Sequence, residues 1–148
     1  MISTNALVIG NVPRADCDPS GFAHHSRIIE WCERARVSIL RANGVTIDIA
    51  EAHGYLIVTG KITAEYKSPI RPDEMVFVRT EVDHINTLKI RTHHEICRSD
   101  EKGGDVVCAC ITITSLFLGL DFIPKQLPES AWYGNWDSRG DYSDTVGA

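Results

Sequence analysis

One long helical period, placed early and followed by almost nothing but strand-like sequence, limits what this chain can fold into. From His25 to Asn43, Ile28, Cys32, Ala35 and Ile39 recur at helical spacing with Ile29 and Leu40 beside them, while Arg27, Glu30, Glu33, Arg34 and Arg41 fall largely elsewhere. Gly44 supplies the stop. Ahead of this helix, Ala6 to Val12 reads as a short apolar strand broken by Pro13. Behind it, a shorter helix or irregular segment around Ile47 to Ala52 ends near Gly54. β-Branched and aromatic residues then dominate through Tyr55 to Tyr66, Met75 to His84, Leu88 to Arg98 and Val106 to Leu118. Short links between these runs favour antiparallel pairing, with a tight turn at His84 to Thr87 and a hairpin loop at Ser99 to Asp105. The order predicts an α+β domain in which the helix packs along one face of an antiparallel sheet. Val106 to Ile111 is more continuously apolar than a half-solvated strand, so oligomer contacts are expected to bury part of the surface.

The length of 148 residues suits one domain with a sizeable core. We expect that domain to occupy residues 1–128, leaving residues 129–148 as a tail that is partly ordered at most. Trp132, Tyr133 and Trp136 could dock, while Asp137 to Ala148 should fray. A net charge of −5 argues against a sequence-independent grip on nucleic acid. No run approaches the roughly 18 apolar residues of a membrane span, and Met1 to Asn5 lacks a secretory signature, so a cytoplasmic protein is expected. Five cysteines without a CxxC pair point to reduced thiols, and Cys108 and Cys110, two apart in a strand, should share one face as core fillers. His24-His25 and His93-His94 are neighbours that point apart, so no metal site is expected.

The chemically suggestive stretch is Asp16-Cys17-Asp18-Pro19-Ser20-Gly21-Phe22-Ala23-His24-His25, a carboxylate-bearing turn that feeds straight into the helix. Free N–H groups at a helix start can polarise a carbonyl oxygen while a nearby carboxylate attacks the carbonyl or activates water, which suggests acyl transfer to water. By itself such a stretch is more often a turn and a helix cap. Gly21 either lets backbone approach a substrate or serves the turn alone. Cys17 as a nucleophile is disfavoured, because two flanking aspartates raise a thiol pKa. Glu33 with Arg36 and Glu30 with Arg34 have the spacing of surface or interface ion pairs. Arg139-Gly140-Asp141 is a chance match to an adhesion tripeptide.

These residues resemble the hot-dog acyl-CoA thioesterases, in the branch that holds 4-hydroxybenzoyl-CoA thioesterase and the Tol-Pal-associated short-chain thioesterase. The resemblance covers about Val8 to Leu120. Asp16 to Gly21 and Gly103-Gly104-Asp105-Val106 look like the hydroxybenzoyl-CoA type. His25, Glu33-Arg34-Ala35-Arg36 and Lys61 to Glu74 look like the Tol-Pal type. The resemblance implies a sheet wrapped around the long helix, a homodimer that usually becomes a homotetramer, and a site at a subunit interface. It implies that Asp18 is the catalytic carboxylate, as nucleophile or general base, and that the His25 backbone N–H binds the thioester oxygen. It implies no metal and no cofactor beyond the coenzyme A of the substrate.

One departure stands out. The hydroxybenzoyl-CoA type has a basic cluster in the turn between its central strands, where this chain reads Asp83-His84-Ile85-Asn86-Thr87. Lys89 and Arg91, with Lys67 and Arg71, are the alternative cations for the nucleotide, and an acyl carrier protein becomes a possible acyl donor. Two further alternatives are a hot-dog protein that binds acyl thioesters without hydrolysing them, and a dehydratase pairing Asp18 with the His25 side chain. Trp31, Tyr55, Tyr66, Phe77 and Phe117 are the aromatics that could set pocket depth.

Overall fold

The computed structural model describes residues 5–136. Strand β1 (Asn5–Asn11) precedes helix α1 (His25–Ala42) and a short helix α2 (Ile47–Ala52). Strands β2 (Tyr55–Tyr66), β3 (Met75–Ile85), β4 (Lys89–Ser99) and β5 (Asp105–Gly119) complete the regular structure of the described residues, with 3-10 turns at Arg14–Asp16 and Glu129–Tyr133. The five strands form one antiparallel sheet in the order β1-β3-β4-β5-β2. The expected α+β layout, a single long helix against an antiparallel sheet, is the one observed.

Helix α1 turns Ile28, Trp31, Cys32, Ala35, Arg36, Ile39 and Leu40 toward the sheet, a stripe at i, i+3, i+4 and i+7 spacing. Arg36 is the surprise, because its spacing from Glu33 reads as a surface pair. Its side chain is instead buried, with Nη2 donating to Glu33 at 2.8 Å and Nη1 donating to Ser115 of β5 at 3.1 Å. Glu30 pairs with Arg27 at 3.0 Å rather than with Arg34. Below α1 the sheet carries another buried polar group, His94, whose Nδ1 meets the Thr80 hydroxyl at 2.7 Å and whose Nε2 meets the Thr92 hydroxyl at 2.9 Å. Both ring nitrogens are thereby satisfied without water.

Tight links do pair β3 with β4 and β4 with β5, but β2 pairs with β5 and not with β3. Residues 67–74 must therefore run from one edge strand of the sheet to β3 near the other edge. A bulge helps to hold this crossing. Ile96 faces Ala109 whereas Cys97 faces Val107, so Cys108 is an extra residue in β5. Its carbonyl accepts the N–H groups of both Lys67 (2.8 Å) and Ser68 (3.0 Å), which turns the chain at the end of β2. The bulge also breaks strand alternation: Cys108 and Ala109 are both in the core, while Cys110 is half-buried, so the two cysteines do not share a face.

The end of the described chain packs on the domain. Leu127, Ala131 and Trp132 are buried with Phe117 and Leu40, and Trp136 Nε1 donates to the Gly44 carbonyl at 3.2 Å. Gly44 has φ 83°, and a Cβ there would lie 2.5 Å from the Gly134 nitrogen, so only glycine lets the segment dock so closely after α1. Asp137 to Ala148, including the Arg139-Gly140-Asp141 match, lie outside the described residues.

Candidate active site

The Asp16–His25 turn is built by its own side chains. Asp18 Oδ1 accepts the N–H groups of Ser20 (2.9 Å) and Phe22 (3.2 Å), and the main chains of Asp18 and Phe22 bond at 2.7 Å. Gly21 closes the turn at φ 87°. The bland expectation of a turn is thus correct for Oδ1. The other oxygen, Oδ2, has no partner among the described residues. Asp16 differs, because its carboxylate meets Arg27 Nε at 3.4 Å.

His24 caps α1 and His25 is its first residue. The N–H groups at a helix start have no acceptor within the helix. Here Arg27 N–H (2.9 Å) and Ile28 N–H (3.3 Å) donate to the His24 carbonyl, and Ser26 N–H donates to His24 Nδ1 at 3.1 Å. The His25 N–H has no acceptor among the described residues. Tyr66, the last residue of β2, sends its hydroxyl to the His25 carbonyl at 3.3 Å, and its ring stands edge-on to His25 at 6.5 Å. Burial and then nearby Cys32 hold the Tyr66 phenol above its ordinary pKa, so it donates.

The crossing link forms the opposite wall, fixed to the turn by Ala23 N–H donating to the Ile70 carbonyl at 2.8 Å. Together these pieces border an open cavity of about 310 Å3 lined by Asp18, Ala23, His25, Ile28 and residues 66–70. Its lining includes Asp18, whose Oδ2 is uncommitted, His25, whose N–H is unpartnered, and the apolar residues Ala23, Ile28 and Ile70. That combination can take a thioester carbonyl: a donor for its oxygen, a carboxylate for its carbon and apolar surface for the acyl group.

Of the residues expected at a site, Asp18 and His25 come together on this cavity, and Gly21 stays in the turn beside it without lining it. Lys89 and Arg91 lie elsewhere in the chain. Lys89 pairs in register with Leu116 whereas Tyr66 pairs with Ala109, seven residues away along β5 or about 23 Å at the rise of a strand. Arg91 Nε donates to Asp83 at 2.7 Å, and that bond holds the Asp83 carboxyl below its ordinary pKa. Lys67, by contrast, lines the cavity. Among the aromatics only Tyr66 lines it. Trp31 and Phe117 are buried in the core, Tyr55 packs near Trp136, and Phe77 lies under Arg79.

Cys17 and Cys32 are poor nucleophiles. Burial, then Asp18 and Asp16, push the Cys17 thiol up, and burial with Glu33 pushes Cys32 up to about 12. Among the described residues no group of three or more His, Cys, Asp and Glu side chains could hold a metal, and no helix is long and apolar enough to cross a membrane. A larger concavity of about 620 Å3 lies between the β3–β4 turn and Trp132-Tyr133; of its two carboxylates, Asp83 is already paired with Arg91 and Glu129 belongs to the 3-10 turn, without the start of α1 beside it as Asp18 has.

Sequence reasoning missed the part played by His24 and the connection from Tyr66 to the helix. The second depends on the topology that sets β2 next to the start of α1, for which the sequence carries no periodic signal; the first is local, made to Ser26 two residues on, but by a residue type outside the usual capping set.

A five-stranded antiparallel sheet packed on one long helix, with a carboxylate turn at the helix start, defines a hot-dog protein of the thioesterase class. The model of the Thioesterase-like superfamily matches residues 12–123, and the chain belongs to that family. Acyl-CoA thioester hydrolase YbgC of Escherichia coli is 25% identical over 118 residues, which cover 78% of this chain and 84% of that protein. Two solved structures share the fold. DHNA-CoA thioesterase from Staphylococcus aureus has a TM-score of 0.71 at 24% identity, over 84% of this chain and 80% of its own. The 4-hydroxybenzoyl-CoA thioesterase from Pseudomonas sp. has 0.73 at 15%, over 87% and 96%.

Proposed function

We propose that the protein hydrolyses acyl- or aroyl-CoA thioesters, with Asp18 as nucleophile or general base and the His25 main-chain N–H as the oxyanion donor. The observation that carries this reading is that His25, whose helix-start N–H is unpartnered, lines the same cavity as Asp18, whose carboxylate has one uncommitted oxygen. The names of the relative and of the structural neighbours, all thioester hydrolases, support the substrate class.

As nucleophile, an Asp18 oxygen bonds to the thioester carbon while the carbonyl electrons move onto oxygen, held by His25 N–H and the positive end of α1. Collapse expels the CoA thiolate and leaves a mixed anhydride. Water then breaks that anhydride, releasing the acid and restoring Asp18. As general base, Asp18 instead takes a proton from water that attacks the same carbon; collapse of the resulting intermediate breaks the C–S bond and expels the CoA thiolate, and that proton passes from Asp18 to the thiolate. Neither route needs a metal or cofactor. Lys67 is the cation best placed to meet the CoA phosphates at the cavity mouth, and Lys89 and Arg91 would have to reach from a partner protomer. The exposed edge of β2, with Ile62 and Tyr66 part uncovered, supports a homodimer joined there.

The test is thiol release from a panel of CoA thioesters carrying 4-hydroxybenzoyl, benzoyl, short-chain and long-chain acyl groups. Turnover that disappears in Asp18→Asn supports the reading and ranks the substrates. Silence on CoA with turnover on carrier-protein thioesters would reassign the donor. Binding without release of thiol from either would overturn hydrolysis.

A further inference from the structure

We infer that the His24 imidazole is a positioning residue that leaves the helix a single free donor, and that it does so only while its Nδ1 is unprotonated. This rests on the hydrolase reading, because it concerns the donor assigned there to the thioester oxygen. Of the N–H groups in the first turn of α1, His24 engages those of Ser26, Arg27 and Ile28, one through Nδ1 and two through its carbonyl. Only His25 N–H is left.

The arrangement is also a clamp. The peptide between His25 and Ser26 is held at both ends, its carbonyl by the Tyr66 hydroxyl at 3.3 Å and its N–H by His24 Nδ1 at 3.1 Å. Fixing that plane limits rotation at His25 and so fixes the direction of the preceding N–H, which is the donor. A preorganised donor stabilises an oxyanion more than one that must reorient during the reaction.

Histidine is an unusual choice for this position. Helices are normally capped by Ser, Thr, Asp or Asn, whose oxygens accept at any pH near neutrality. An imidazole nitrogen accepts only while it lacks a proton. Once Nδ1 carries one, it can no longer accept from Ser26 N–H. It can donate to the Ser26 hydroxyl, already 2.7 Å away. The new positive charge would also sit at the positive end of the helix. The cap is released and the clamped peptide freed. The His24 ring stacks on that of His25 at 4.1 Å; the other charged and titratable groups of this end of the helix are the Arg27–Asp16 pair and, lining the cavity with His25, Asp18, Tyr66 and Lys67. Several of these can also titrate, so the test must isolate His24.

Two measurements on the full chain do this. The first follows the Ser26 amide by nitrogen-proton NMR from about pH 5 to 8, with no substrate present. In the wild type the Ser26 amide signal should move as the pH is lowered, and in His24→Asn it should not. A Ser26 amide indifferent to His24 overturns the inference. The second compares pH profiles of kcat and KM for 4-hydroxybenzoyl-CoA, or for the best thioester of the panel. His24→Phe keeps a flat ring beside His25 but removes the acceptor, and kcat should fall about tenfold with KM little changed. His24→Asn, which restores a side-chain acceptor that cannot titrate, should recover most of that loss and shift the acidic decline of kcat to lower pH. Wild-type kcat in His24→Phe, or an unshifted acidic decline in His24→Asn, overturns the inference with the hydrolase reading intact. No thiol release from the wild type overturns the hydrolase reading and the catalytic part of this one, while the Ser26 amide still decides whether the cap exists.

Discussion

The Tyr66 hydroxyl donates to the main-chain carbonyl of His25 across 3.3 Å, joining the last residue of an edge strand to the first residue of the long helix. Forty-one residues separate them in sequence. The bond bears on the His25 peptide and hence on the donor proposed for the thioester oxygen. Tyr66→Phe keeps the ring and its edge contact while removing the bond. The loss of about 1 kcal/mol should lower kcat roughly fivefold with little change in KM. A steady-state comparison on one thioester checks it, and an unchanged kcat would deny Tyr66 that influence.

Asp18 and Asp16 stand two apart and should behave oppositely. Asp18→Asn preserves the turn's acceptor but removes the charge, and kcat should fall by about three orders of magnitude with the melting curve nearly unmoved. Asp16→Asn weakens only a partly exposed contact with Arg27, and turnover should stay within about threefold. If the larger loss followed Asp16 instead, the catalytic carboxylate would be misassigned.

His94 should make the fold acid-sensitive. Burial first, then His93 and Arg36, depress its pKa from the ordinary 6.5 to about 3. The sign follows from proton counts: below about pH 6.5 the unfolded chain takes up a proton that the folded chain refuses until near pH 3. The contribution is therefore complete above 6.5 and lost progressively down to 3. Between pH 7 and about 4.5 the loss is on the order of 2 to 3 kcal/mol. Urea unfolding at both pH values, for wild type and His94→Gln, reads the difference. The variant should lose less on acidification; an equal loss in both would assign the sensitivity to other groups.

Gly44 should tolerate no side chain. Its φ of 83° and the 2.5 Å approach of the Gly134 nitrogen to a Cβ there leave alanine nowhere to go without moving the docked C-terminal segment. Gly44→Ala should cost about 2 to 3 kcal/mol in urea unfolding and increase the solvent exposure of Trp136 fluorescence. Stability within a few tenths of a kcal/mol of wild type would mean that the segment docks loosely.

Much of the fold was legible in the residue pattern because helix and strand periods reflect purely local geometry. The stripe from Ile28 to Leu40 gave α1 its buried face, and the β-rich runs gave β2 to β5 to within about two residues at each end. The exceptions were residues whose surroundings come from distant sequence. Arg36 reads as a surface cation and is buried because Ser115, on the strand beneath, offers an acceptor. Cys108 and Cys110 read as sharing a face and do not, because the pairing partner leaves Cys108 as a bulge.

The sequence by itself determined the helix, the strands and the turn that carries Asp18, since each is encoded within a few residues by periodicity, glycine and carboxylate-to-backbone bonds. Only the tertiary structure decided that β2 pairs with β5, that the link 67–74 therefore crosses beside the helix start, and that Tyr66 and Ile70 wall a cavity over Asp18 and His25. Strand order is chosen by the burial of whole faces against one another. That is a property of the assembled sheet and helix, which no local pattern records.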